Sequence, residues 1–207
     1  MAEWLPPPPS SFGIGPVLRL LKRDDEVWRI YFQGGRHPTA WNEFRSYGPT
    51  NSRFDHHTYP KREQGRAIVY GSAGRQAIVT CLAEVFQDTR HINTTDRDPW
   101  LCCFRLARGL KLLNTSSEWP VRAGGNMAIN SGVRHRSREW SRAIYRHYPE
   151  VEGIWYPSSL TNQPSVALYE RALSALPAAV TLNLSLRDPS LFGDLTHAAS
   201  RLGYTMS

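Results

Sequence analysis

The stretch AIVYGSAGRQAIVTCLAEVF, residues 67–86, constrains this chain more than any other. It reads as a buried strand, a tight glycine turn and a helix over 74–88. Ala77, Ile78, Cys81, Leu82, Val85 and Phe86 recur at helical spacing and face a core. Glu84 falls near Cys81 and Ala77 on the helix wheel, at the border of that apolar face. A carboxylate there is either an ordinary exposed Glu or a group that meets a substrate.

The flanking pattern is strand-rich. Strands are expected at 27–32, 100–106, 110–114, 153–159, 165–170 and 179–188. In the last of these Val180, Leu182, Leu184 and Leu186 alternate with Thr181, Asn183 and Ser185. Helices are expected at 137–148, with Trp140, Ile144 and Tyr148 on one face, and at 190–202. Residues 34–66 read as a long polar loop region. There is no steady βαβ rhythm and no internal repeat, so the fold class is α+β, with mixed sheets and flanking helices in a single domain. Residues 1–16 carry Pro6 to Pro9 and read as a polyproline arm outside the core, with 17–207 as the domain.

The 207 residues are 41% hydrophobic, enough to bury a core. Seven Trp and nine Tyr can fill that core or line a pocket for a flat ligand. The net charge of +7 fits a solvated surface, nucleic acid, a phosphorylated small molecule or an acidic protein partner. Cys81, Cys102 and Cys103 form no disulfide framework and no CxxC, which suits a reducing cytoplasmic setting. No basic stretch leads into an apolar run at the N-terminus, and no apolar run reaches about 18 residues, so neither a signal peptide nor a membrane span is expected.

Common catalytic motifs are missing: there is no dinucleotide fingerprint, no GxxxxGK[ST], no HExxH and no GxSxG. His56 and His57 have no neighbours at metal-ligand spacing, so no metal is expected. Arg138, Arg142 and Arg146, within RHRSREWSRAIYRH (134–147), form a stripe opposite the Trp140/Ile144 face. That stripe is a solvated helix face or a contact for phosphates or a partner. Arg29 lies in the strand WRIYF, and Arg53 follows Gly48-Pro49 in a turn-rich stretch. Each is an ion-pair partner or a pocket residue. After Pro157, the run Ser158, Ser159, Thr161, Asn162, Gln163 is a turn or the polar wall of a ligand site.

In order, four of these pieces resemble the RES-domain family, named for an Arg, a Glu and a Ser. Arg29 in WRIY matches its early strand arginine, and Arg53 in SRFD its second arginine. Tyr70 with the strand–helix unit ending at Glu84 matches its glutamate segment, and Ser158 in WYPSS its post-strand serine. The likeness covers residues 27–170. The second arginine motif departs from the family by lacking its two glycines.

The resemblance implies an ADP-ribosyltransferase-like fold. It implies a toxin of a toxin–antitoxin pair that consumes NAD+, held in check by an Xre-like helix-turn-helix antitoxin. NAD+ is then the substrate, cleaved at the nicotinamide–ribose bond, with ADP-ribose passed to phosphate, water or a protein. Glu84, Arg53 and Ser158 take the catalytic positions, and Arg29, Tyr31, Tyr70 and Asn162 the binding ones. The chemistry is consistent with these residue types. Losing nicotinamide leaves an oxocarbenium-like ribose that a carboxylate stabilises. A diphosphate suits bidentate Arg29 and Arg53, and Tyr31 or Tyr70 offers the ring a flat wall. A basic nucleic-acid-binding module, with the Arg stripe as its footprint, is the competing expectation; it would need neither Glu84 nor Ser158.

Overall fold

The computed structural model describes residues 4–207. Its strands are β1 (Leu18–Leu21), β2 (Glu26–Phe32), β3 (Arg45–Gly48), β4 (Arg62–Ser72), β5 (His91–Ile92), β6 (Pro99–Arg105), β7 (Leu110–Asn114), β8 (Gly153–Pro157), β9 (Pro164–Tyr169), β10 (Leu182–Ser185) and β11 (Thr205–Met206). Its helices are α1 (Ala77–Val85), α2 (Trp119–Arg122), α3 (Ala128–Ser131), α4 (Arg134–His147) and α5 (Phe192–Leu202). The chain is a single α+β domain with a mixed sheet and flanking helices. Among the described residues no helix is long and apolar enough to cross a membrane.

Nine strands form the main sheet in the order β1-β7-β8-β9-β4-β2-β6-β10, with β3 pairing onto β4. Only β7 and β8 run parallel within it. The sheet has two halves joined at a narrow seam, since β2 and β4 share one paired position, Trp28 opposite Ser72. Gly71 makes that approach possible: a Cβ there would lie 2.7 Å from Val27 Cγ1 and 2.8 Å from the Trp28 carbonyl oxygen. Beyond the seam β2 runs with β6 over its whole length, and β4 runs with β9.

Three apolar clusters follow from strand alternation. Inside the sheet's curve, Val27 and Phe104 meet Val69, Val166 and Leu168. On the outer face of one half, α4 lays Trp140 and Ile144 over Ile68, Ile154, Ala167 and Tyr169. On the outer face of the other, α1 and α5 cover Ile30, Leu101 and Trp28. One half of the sheet is therefore covered by α4 and the other by α1 with α5.

Several expectations need adjusting. Helix α1 is shorter than 74–88, because Gly74, at φ 83°, turns the chain before the first helical residue. Strand β4 starts well before the apolar run, since β3 pairs with its polar first half. Strand β10 is shorter than 179–188, and Val180 packs into the inner cluster rather than with Leu182 and Leu184.

The proline-rich segment is docked. Leu5 and Phe12 are 2% and 7% exposed and belong to the α4 cluster. The Phe12 ring stacks on Trp140 and Tyr148 at 5.7 and 5.4 Å between centroids. Trp140 Nε1 donates to the Pro6 carbonyl and Tyr148 Oη to the Ile14 carbonyl, each at 2.8 Å. The four prolines hold an extended spacer between two apolar pegs.

Candidate active site

Almost every side of α1 is covered: Ala77, Val79, Thr80, Cys81, Leu82 and Ala83 are all buried. Two polar residues of this crowded helix, Thr80 and Glu84, share one face at helical spacing, and Gln87 follows in the turn after the helix. Each has a partner from the other half of the molecule. Thr80 Oγ1 lies 3.0 Å from Thr161 Oγ1. Glu84 Oε1 accepts the Ser158 hydroxyl at 2.6 Å. Gln87 Oε1 accepts from Arg134 Nη2 at 2.6 Å, while Gln87 Nε2 donates to the Glu84 carbonyl at 2.7 Å. Glu84 is half-buried, at the edge where α1 meets the turn after β8.

Ser158 is 3% exposed and built into that turn. Its hydroxyl oxygen accepts from the Leu160 and Thr161 amides at 3.1 and 3.3 Å. Its carbonyl accepts from the Asn162 amide at 2.9 Å. With its lone pairs facing amides, the hydroxyl hydrogen is directed at Glu84. Asn162 is exposed and sits at φ 56°, the left-handed conformation that Asn tolerates. It shapes the turn rather than walling the site.

Arg53 comes from the loop between β3 and β4. Its Nη1 donates to the Gly132 carbonyl at 2.8 Å and to Ser137 Oγ at 3.0 Å, tying it to the start of α4. Tyr70 Oη, from β4, donates to the Arg53 carbonyl at 2.8 Å. The loop is pinned one step further on by Asp55. This buried carboxylate accepts from Thr50 N, Thr50 Oγ1, His57 N, His57 Nδ1 and Arg45 Nη2, at 2.6–3.0 Å. Burial opposes its charge, but these donors outweigh burial and hold the carboxyl far below the usual range.

The electrostatics tie these residues together. Burial lowers the Arg53 pKa, the neighbouring Arg134 charge lowers it further, and Tyr156 and Glu84 act the other way. Burial pushes the Tyr156 hydroxyl far up, and the Glu84 charge adds to it. Tyr156, on β8, is 6% exposed and packs its ring 4.8 Å from that of Phe54. Glu84, Ser158, Arg53, Tyr70 and Tyr156 thus converge on the seam between α1 and α4. The arrangement brings a carboxylate, a guanidinium and two tyrosines together in one region of the fold.

Arg29 and Tyr31 lie elsewhere. On β2, Trp28 and Ile30 face α1, so alternation turns Arg29 and Tyr31 to the sheet's other face, with Val27. Arg29 Nη1 donates to the Trp41 and Glu43 carbonyls at 2.8 and 3.3 Å. Tyr31 Oη donates to Asn183 Oδ1 at 2.8 Å and accepts from Gln33 Nε2 at 3.0 Å. No hydrogen bond or ion pair among the described residues joins either to Glu84, Ser158 or Arg53. Arg29 tethers the loop before β3.

Tyr156, Thr80 and Gln87 had no expected role, and Arg134 was expected only as part of the basic run 134–146. The signal for Thr80 was present, since polar residues at 80 and 84 interrupt a buried helix at one-face spacing. Arg134 was likewise one helical turn ahead of the Arg138/Arg142/Arg146 stripe. In that stripe Arg138 bonds Asn51 Oδ1 at 3.0 Å, Arg142 is half-buried and Arg146 is exposed. Burial pushes the Cys81 thiol up to about 12, which leaves it inert as a nucleophile. Among the described residues no group of three His, Cys, Asp or Glu is placed to hold a metal ion.

No protein-family profile matches the sequence, and no curated protein matches it. A solved structure does. A chain of the crystal structure of the M. tuberculosis MbcT-MbcA toxin-antitoxin complex superposes with a TM-score of 0.57 at 12% identity. The match covers 86% of this chain and 92% of that one. At that identity the likeness establishes a shared fold.

Proposed function

We propose that this chain is the NAD+-consuming toxin of a toxin–antitoxin pair. It breaks the nicotinamide–ribose bond and passes ADP-ribose to phosphate or water. The observation that carries the reading is the 2.6 Å contact between Glu84 and Ser158, with Arg53 beside them. The fold shared with a chain of a toxin–antitoxin complex supports it.

The residues divide the work. The C1′–N bond breaks with its electron pair leaving on nicotinamide, which departs neutral and needs no general acid. The ribose is left oxocarbenium-like, and the Glu84 carboxylate stabilises that charge. Ser158 holds the carboxylate in one orientation through its hydroxyl, itself fixed by two amides. Arg53 binds a phosphate oxygen, its guanidinium held by Gly132 and Ser137. Tyr70 and Tyr156 give the nicotinamide ring a flat wall. The acceptor then attacks C1′: water gives ADP-ribose and a proton, and phosphate gives the 1″-phosphate ester.

An open site of this kind would drain the NAD+ of the cell that makes it, so a regulator must cover it. An Xre-like antitoxin ending in an acidic or carboxylate segment fits the basic groove around Arg53. The test is to incubate the purified protein with NAD+, with and without phosphate, and to quantify nicotinamide and the ADP-ribose product. Nicotinamide release is expected; intact NAD+ would overturn the reading, and label on a protein acceptor would redirect it to protein ADP-ribosylation.

A further inference from the structure

The site holds a second guanidinium that no part of the reading above uses. Arg134 opens α4, half-buried, and its Nη2 donates to Gln87 Oε1 at 2.6 Å. Arg53 reaches the same turn of α4 from the other side, through Gly132 and Ser137. Burial lowers the Arg53 pKa most, and the neighbouring Arg134 charge lowers it further. Among the described residues neither forms a salt bridge. Other arginines on the same helix and nearby do find carboxylates: Arg136 has Glu139, and Arg45 has Asp55 at 3.0 Å. Among the described residues Glu84 is the one carboxylate whose charge favours Arg53, and it forms no ion pair with either arginine, so two like charges share one partial counter-charge and a ligand of double negative charge relieves their repulsion.

We propose that Arg53 and Arg134 form a two-pronged site for a diphosphate, so that Arg134 sets the preference for a dinucleotide over the bare nicotinamide riboside. This rests on the NAD+ reading for the ligand's identity, though the anion site itself does not. Gln87 anchors the Arg134 side chain while its own amide bonds the Glu84 carbonyl. One chain of contacts therefore links the phosphate end of the site to the turn carrying the carboxylate.

Inorganic pyrophosphate is the probe, measured by calorimetry at low salt on the full chain. Wild type should bind it, and Arg134→Gln should weaken binding about ten- to hundredfold, the range for losing one charge-assisted contact. Arg134→Lys should fall between the two, since it keeps the charge without the fork. Gln87→Ala removes the tether but keeps both charges, and its affinity should stay within about threefold of wild type. Arg134→Gln should also raise KM for NAD+ by a similar factor with kcat nearly unchanged. Equal pyrophosphate affinity for wild type and a folded Arg134→Gln would overturn the proposal, as would equal losses in Gln87→Ala and Arg134→Gln. If wild type binds pyrophosphate through Arg134 but leaves NAD+ intact, the anion site stands and the NAD+ reading falls.

Discussion

Replacing Glu84 by Gln isolates the charge at the centre of the proposed chemistry. Gln keeps the size of the side chain and an oxygen that can accept the Ser158 hydroxyl, now 2.6 Å from Glu84 Oε1. What it removes is a unit negative charge beside the ribose. At about 4 Å and an effective dielectric near 20, such a charge is worth about 4 kcal/mol against a full positive charge. Glu84 is half-buried, so water screens part of this, and the transition state carries only part of a charge. A loss of about 3–4 kcal/mol remains, or two to three decades in kcat, the scale of removing one electrostatic stabiliser. Stability should move by no more than about 1 kcal/mol, because the Ser158 bond survives in neutral form. The assay is nicotinamide release by purified wild type and variant, alongside a thermal melt. Inducible expression with NAD+ measured in extracts gives the cellular counterpart: wild type should arrest growth as NAD+ falls, and the variant should do neither. A Gln variant that turns over at the wild-type rate refutes the assignment. Growth arrest by both proteins with NAD+ unchanged refutes the enzyme reading and favours a nucleic-acid-binding one.

Arg29→Lys should lower stability by about 1–2 kcal/mol, because the shorter side chain places its ammonium short of the position from which Nη1 donates to the Trp41 and Glu43 carbonyls; a raised KM for NAD+ with unchanged urea stability would show instead that Arg29 binds substrate. Phe12→Ala should cost about 3–4 kcal/mol, since the ring fills a site between Trp119, Trp140 and Tyr148; a melting temperature equal to wild type would mean that the N-terminal segment is not docked in solution. Acid should destabilise the fold in two stages. Burial holds His56 below its ordinary value, so below about pH 6.5 the unfolded chain takes up a proton that the folded one resists, and stability falls. Burial favours neutral Glu170, but the His56 ring, the Ala67 amide and the Tyr145 hydroxyl hold its carboxyl at about 2, so its contribution is present above about pH 4.5 and is lost from there downwards. Urea unfolding free energies that stay level from pH 7 to pH 4 would contradict this.

Which parts of the molecule the sequence made legible depends on how far apart the deciding residues are. Alternation and helical spacing are local, so β2, β6, β7, β8, β9 and α4 fall close to where the pattern puts them. The border position of Glu84 was readable for the same reason. Strand β3, with sequence RSYG, has no apolar alternation, and it exists because β4 offers it an edge. The prolines before Ser10 suggested an arm, yet Leu5 and Phe12 on either side of them are the apolar pegs that dock it. Arg29 shows a sharper limit. Period-2 alternation tells which residues share a face of β2, but not which face the site occupies. That is decided at the seam, where Gly71 lets β2 approach β4 and leaves α1 on the side of Trp28.

Arg134 is the strongest case of this limit. In sequence it reads as the first member of an exposed stripe, and a stripe of arginines on a helix is ordinarily solvated. Its role depends on Arg53, which arrives from a loop pinned by Asp55, and on Gln87, which arrives from the far end of α1. Neither neighbour is visible from the helix itself. The sequence does carry half of the information, in Thr80 and Glu84 along one face of a helix otherwise buried and in Gln87 just past its end. Polar residues persist on a buried helix where partners meet them, and here the partners are Thr161, Ser158 and Arg134. The first two come from the turn after β8 and the third from the start of α4. The polar face of α1 therefore marks the line along which the two halves of the sheet bring their helices together. Along that line a carboxylate, Glu84, and two guanidiniums, Arg53 and Arg134, come together, which is the charge separation that the proposed chemistry of a positively charged ribose joined to a diphosphate requires.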